Sequence, residues 1–370
     1  MQKIDLPAKN VDTSPTIDAQ RAACAHPGVT IRSERIKFTL PGNGCRGLRV
    51  AAIIFSVAVF AVSSIYIGFT FQWGPIAKSL KEVNLIYLIL EGGSSIMLFW
   101  IIRALRWHLL LKQTDTVIPF FDIYMCTAVS LGLAIFTPLR SGEILKIELL
   151  RKNDLINRFP GYGSFIVERV LDLATILTIA GISLLTTFNI LPNRSNAFYF
   201  IIASICLVVT GMYAVHKLRF TVRVQQLLDH INECTRNVPR LLLVTFITCV
   251  SWASVALTWN IFLRCGSLHL DFPKTIGLLS VVTLVSVFSL IPGGLGISEA
   301  GTSQVLIWLG FASTAAQTGS LVLRSSSLIA GALGLVHLAL WKVIRKRRNH
   351  RSAAASFAII PKEADTAGAD

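Results

Sequence analysis

Leu290-Ile-Pro-Gly-Gly-Leu-Gly-Ile-Ser-Glu-Ala-Gly301 puts a helix breaker, four glycines and a carboxylate inside a region otherwise almost free of charge. From Thr275 to Trp341 the only formally charged side chains are Glu299 and Arg324. Moving one such group from water to the centre of a bilayer costs roughly 2.5 kcal/mol or more, so both need partners or a wet cavity. Pro292, Gly293, Gly294, Gly296 and Gly301 interrupt the helix, and irregular backbone at membrane depth is tolerated only where protein buries it or where it lines a cavity. The stretch therefore predicts the floor of a polar pocket in a membrane protein.

A companion stretch lies in the other half of the chain. Phe136-Thr-Pro-Leu-Arg-Ser-Gly-Glu-Ile144 also follows an apolar run and also holds Pro138, Gly142 and a carboxylate, Glu143. Arg169 follows Glu143 by 26 positions, and Arg324 follows Glu299 by 25. Upstream, Arg106 and Arg264 each end an apolar, Trp-containing helix. The order Arg, apolar run, Pro-Gly-Glu, apolar run, Arg thus occurs twice. Interrupted hydrophobic segments at matching positions of two halves point to a transporter binding site.

Composition sets the class. Hydrophobic residues make up 53% of the chain and charged ones 15%, with a mean hydropathy of +0.62, as in an integral membrane protein. The net charge of +15 lies in short segments flanking apolar runs, which fits topology signals and anionic lipid better than nucleic acid. Residues 1–49 are polar, lack helical periodicity and read as a mostly disordered cytoplasmic tail rather than a signal peptide. Residues 50–345 form the transmembrane domain, with half-repeats at about 50–191 and 197–341, and 346–370 read as a basic, then polar, cytoplasmic tail.

Full spans are expected at 50–71, 85–102, 165–191, 197–215, 241–263 and about 320–341. If 120–150 and 275–311 also crossed, the basic connections 139–161 and 216–240 would fall outside, against the positive-inside rule. Treated as re-entrant hairpins, they leave 28 Lys and Arg inside and 5 outside. The predicted fold is an all-α polytopic protein of about six full spans and two re-entrant helical hairpins, arranged as two inverted repeats with both termini cytoplasmic.

Cysteine and histidine spacing shows no disulfide framework, zinc site or other metal motif, and no nucleotide-binding glycine pattern occurs, so no cofactor is expected. The richest polar cluster is Arg140, Glu143, Lys146 and Glu148, followed by Glu168, Arg169 and Asp172. Helical spacing puts Glu143 with Lys146, and Glu168 and Arg169 with Asp172, on shared faces. Arginine suits a phosphodiester because its planar fork donates two parallel hydrogen bonds. Satisfied ion pairs are the competing reading for Lys146 and Glu148. Arg103 and Arg106, at a helix end, read as snorkelling to the interface, and Trp73, Trp100, Trp107 and Trp341 as interfacial anchors.

The segments IIRALRWHLLL, TPLRSGEILKIELL, VERVLDL and IPGGLGISEA followed by Arg324 resemble the lysylphosphatidylglycerol synthase transmembrane region family, also called flippase-like, over roughly 50–345. The resemblance implies a lipid-translocating domain in the inner membrane, and a substrate-cavity role for Arg140, Glu143, Arg169, Asp172, Glu299 and Arg324. The cavity backbone would be Pro138, Gly142, Pro292, Gly293, Gly294 and Gly296. Only a short tail follows the last span, so aminoacyl transfer, which relatives perform with a large soluble domain, is not expected.

The function expected is movement of a phospholipid or lipid-linked glycan with an anionic or zwitterionic headgroup between leaflets. One alternative is a membrane-embedded transferase acting on a polyprenyl-linked sugar or phospholipid, with Glu143, Asp172 or Glu299 as general base. Another is an accessory subunit of a separate lipid-modifying enzyme.

Overall fold

The lengths of the apolar helices decide what each can do in a bilayer. The computed structural model describes residues 44–111, 118–153, 155–186, 222–288 and 291–358. The helices are α1 (Gly44–Thr70), α2 (Trp73–Lys81), α3 (Leu85–Leu111), α4 (Phe120–Leu133), α5 (Leu145–Arg151) and α6 (Arg158–Thr186), then α7 (Val222–Arg236), α8 (Val238–Cys265), α9 (Phe272–Phe288), α10 (Ile297–Trp308) and α11 (Ser313–Ala358). Short 3-10 segments, Ala134–Phe136 and Pro138–Ile144, separate α4 from α5, and Pro292–Gly294 separates α9 from α10. The described residues contain no strand.

Helices of 27 and 28 residues, α3 and α8, are about 40 Å long and exceed a hydrocarbon core of about 30 Å. Among the described residues, Leu85–Leu111, Val238–Cys265 and Ser313–Arg348 are long and apolar enough to cross a membrane. The chain is a membrane protein. With 29 residues α6 has the length, but it carries Glu168, Arg169 and Asp172 near its middle. The expected span at 197–215, and all of the N-terminal tail before Gly44, lie outside the described residues. With 14, 17 and 12 residues, α4, α9 and α10 reach only about 18–26 Å at helical rise, short of that core.

Local chemistry accounts for the two breaks. Thr137 is extended (φ −118°, ψ 140°), as the ring of a following proline requires. Its hydroxyl donates to the Ala134 carbonyl at 3.0 Å and accepts from the Gly142 amide at 2.7 Å. A Cβ on Gly142 would sit 2.9 Å from the Ala134 Cα, so only glycine closes this turn. In the second break Gly293, Gly294 and Gly296 have φ of +59°, +63° and +84°, a region other residues seldom enter.

Packing relates the halves reciprocally. Gly92 of α3 lies against the Phe262 ring near the C-terminal end of α8, and Arg106 of α3 meets Thr248 nearer its start, so these helices run antiparallel. Helix α4 packs on α11, and α9 packs on α6. The two breaks also touch, with Gly293 so close to Ile135 that an added Cβ would come within 2.7 Å of its carbonyl oxygen.

Exposed side chains on α3, α8 and α11 include Ile86, Leu90, Leu242, Phe246 and Leu328, while Arg103, Arg106, Glu168 and Asp172 are buried. Apolar groups outside and charged groups inside is the distribution a lipid solvent favours. Burial corrects the reading of three tryptophans as interfacial anchors. Trp100 and Trp107 are buried in the helix contacts, as is Trp341 on α11, because neighbouring helices cover the ends where lipid headgroups were expected; Trp73 is exposed.

Candidate functional site

Three helices, α3, α5 and α6, and one break place seven charged side chains together. Arg103 and Arg106 are three residues apart on α3 and share a face. Across from them α6 presents Glu168, Arg169 and Asp172. The turn closed by Gly142 brings in Glu143, and Lys146 follows one helical turn later on α5.

Arg106 lies at the centre. Its Nη1 is 2.6 Å from Asp172 Oδ1 and donates to Thr248 Oγ1 at 3.1 Å, while Nη2 donates to Glu168. Lys146 Nζ donates to the other Glu168 oxygen and lies 4.4 Å from the centre of the Trp107 ring. Arg103 reaches Glu143 at 3.3 Å and Asp172 at 3.2 Å. Arg169 Nη2 is 2.8 Å from Glu143 and 2.9 Å from Asp172. Four cations therefore face three carboxylates, leaving one positive charge in excess among these residues.

Arg169 differs from the other three cations in exposure. Its side chain is 32% exposed, against 3% or less for Arg103, Arg106 and Lys146. Its Nη1 donates to Glu143 Oε1 at 3.2 Å, while its buried Nε and Nη2, like the Nε of Arg103 and Arg106, lack hydrogen-bond geometry to any described partner. Among the four cations, the open side of the network is therefore at Arg169.

The second half builds a smaller, balanced pair. Glu299, in the first turn of α10, accepts from the Gly296 amide and the Ser298 hydroxyl, each at 2.8 Å, and so satisfies donors that a helix start leaves open. Arg324 Nε lies 3.2 Å from Glu299 Oε1, and its Nη1 donates to the Gly293 carbonyl at 2.8 Å. Because Gly293 abuts Ile135, Arg324 braces the point where the two breaks meet.

Of the expected site residues, Glu143, Arg169 and Asp172 converge in the first set, and Glu299 and Arg324 pair in the second. The side chains of Arg140, Pro138 and Pro292 lie outside the described residues. Gly142, Gly293, Gly294 and Gly296 lie in the breaks, whereas Gly301, read as a further interruption, sits inside the regular helix α10 because its backbone dihedrals remain helical. The assignment of Arg103 and Arg106 to a snorkelling role is corrected: α4, α6 and α8 enclose this end of α3, and both guanidiniums are paired with buried carboxylates. Lys146 and Glu168 belong to the same network, whereas Glu148 pairs locally with Arg151 at 2.7 Å. The sequence signal for Arg103 and Arg106 was their i, i+3 spacing, which gives two nearby arginines one face.

The family model for the lysylphosphatidylglycerol synthase TM region matches residues 53–334. The chain belongs to that family. Its matched region holds both charged sets, both breaks and every helix from α2 to α10. Membership relates the protein to lipid modification or translocation. No curated protein matches the chain.

Proposed function

We propose that this family member moves a phospholipid or lipid-linked precursor with an anionic or zwitterionic headgroup between the leaflets of the inner membrane. The observation that carries the reading is the buried network with one positive charge in excess, which opens at the partly exposed Arg169. A lipid phosphate at that opening supplies the missing negative charge as a charge-assisted partner of the guanidinium. The headgroup enters beside Arg169 while its acyl chains stay in the bilayer, with both termini of the protein in the cytoplasm.

The proposed architecture is two inverted repeats with re-entrant hairpins. It is supported by the antiparallel pairing of the equivalent helices α3 and α8, by the exchange of hairpins between the halves, and by the shortness of the hairpin helices. Alternating exposure of a midplane site to the two sides follows from such a pair of repeats. In this reading Glu299 and Arg324 hold the contact between the hairpin breaks and release it as the halves move.

The transferase alternative draws less support. Glu143 and Asp172 already accept from arginine and Glu299 is ion-paired with Arg324, which leaves a carboxylate poorly placed to take a proton from a substrate hydroxyl.

Reconstituted protein with headgroup-labelled phospholipid, quenched from outside the vesicle, tests the proposal. Wild type is expected to bring the inner-leaflet label out. Arg169→Gln and Arg324→Ala are expected to stop this while the proteins remain folded by circular dichroism. Equal rates in wild type and Arg169→Gln would refute the headgroup role. Absence of transfer for anionic, zwitterionic and polyprenyl-linked lipids would favour the accessory subunit.

A further inference from the structure

Away from the charge network, the last helix ends in charges that the translocation reading leaves unused. α11 runs antiparallel to α4, with Gly334 packed on Gly132 and Arg348 on Asp122, Nη1 to Oδ2 at 3.3 Å. The Arg348 guanidinium also lies 5.3 Å from the Phe121 ring centre. One turn earlier Arg345 lies 5.4 Å from the centre of the Trp341 ring. Its Nη1 is buried without a hydrogen-bond partner, and the Nε1 of Trp341, itself 6% exposed, is also unpartnered. Among the described residues no carboxylate lies within ion-pair distance of Arg345. Among the same residues Asp122 pairs with Arg348 alone, and two buried donors, Arg345 Nη1 and Trp341 Nε1, have nothing to donate to.

We infer that this end of α11, with the first turn of α4, binds the headgroup phosphate of an acidic phospholipid. A phosphate offers several acceptor oxygens to the Arg345 fork and the indole N–H together, which a single chloride does not. The source is a lipid rather than free phosphate because apolar surface begins where the charges end. Leu340 and Val343 of α11 are 48% and 51% exposed, and Phe120, at the start of α4, is 39% exposed. Acyl chains would lie on that surface while Lys342, Lys346 and Arg347, all exposed, hold the site near an anionic leaflet. The bound lipid would tie α4, the first hairpin helix, to α11.

Native mass spectrometry of the full chain, purified from nanodiscs of equimolar phosphatidylserine and phosphatidylcholine, tests the inference. In the Arg169→Gln background, which removes the headgroup contact of the translocation proposal, the chain is expected to retain one phosphatidylserine, and Arg345→Gln to lower that retention about fivefold or more, as loss of a bidentate charged contact should. Lys78→Gln removes the same charge from an exposed position on α2 and is expected to leave retention unchanged. No retention in the Arg169→Gln background, equal loss in Lys78→Gln, or equal retention of phosphatidylcholine would overturn the assignment. If Arg345→Gln fails to fold, thermal melting of wild type decides: phosphatidylserine should raise the midpoint, and an equal rise with millimolar inorganic phosphate would mean an ion site only.

Discussion

Glu168→Gln removes the carboxylate on which the charge network is centred. Glu168 accepts from Arg106 and Lys146, with Arg169 and Arg103 at 3.7 and 3.8 Å. All but Arg169 are buried to within a few per cent. The substitution leaves four cations facing Glu143 and Asp172 alone. Removing one partner of a buried pair costs about 3–5 kcal/mol, because the remaining charge stays dehydrated. The glutamine oxygen can serve only one of the two former donors, while its amide group turns hydrogens toward the other. The upper half of that range is therefore expected, a loss of about three powers of ten in the folding equilibrium.

Glu168→Gln/Lys146→Met should recover about 2 kcal/mol of that loss, since the orphaned ammonium is gone. A thioether also packs acceptably against Trp107 and Phe165, whose rings now face Lys146. Reversible unfolding in mixed micelles with increasing dodecyl sulfate, followed by circular dichroism, measures both variants. A single-variant cost below about 1 kcal/mol, or a double variant no more stable than the single, would refute the coupling.

Three further outcomes follow from packing and burial. Gly132→Ala would bring a Cβ within 2.5 Å of the Gly334 Cα, a backbone contact that no rotamer relieves; a cost of about 1–3 kcal/mol is expected in the same micelle titration. Gly301→Ala, where nothing lies within 4 Å and the backbone is helical, should instead stabilise by about 0.4–1 kcal/mol. On α7, burial pushes the Cys234 thiol up to about 11, so the reactive thiolate is scarce at neutral pH. Iodoacetamide at pH 8 should therefore label Cys234 far more slowly in the folded protein than after denaturation, and faster as pH rises toward that value. Equal rates would show the thiol to be open.

Much of the fold was legible because hydropathy and helix breaking are local properties. Pro138 and Pro292 with their neighbouring glycines marked both breaks. The i, i+4 spacing of Glu168 and Asp172 put both on one face of α6 without any knowledge of what that face meets. Arg103, Arg106, Trp100 and Trp107 misled for a single reason. Their sequence context, a helix end rich in aromatics, is the same whether lipid or protein surrounds it.

The sequence by itself determined that the chain lives in a membrane, where its helices break, and which side chains are too costly to leave alone in hydrocarbon. Only the tertiary structure decided the partners, because an arginine pairs with whatever carboxylate its neighbours bring within reach, and those neighbours come from helices far apart in sequence. It alone joined α3 and α6 through Arg106 and set Gly293 against Ile135. It also left the four cations around Arg106 with one positive charge in excess of the three carboxylates they face.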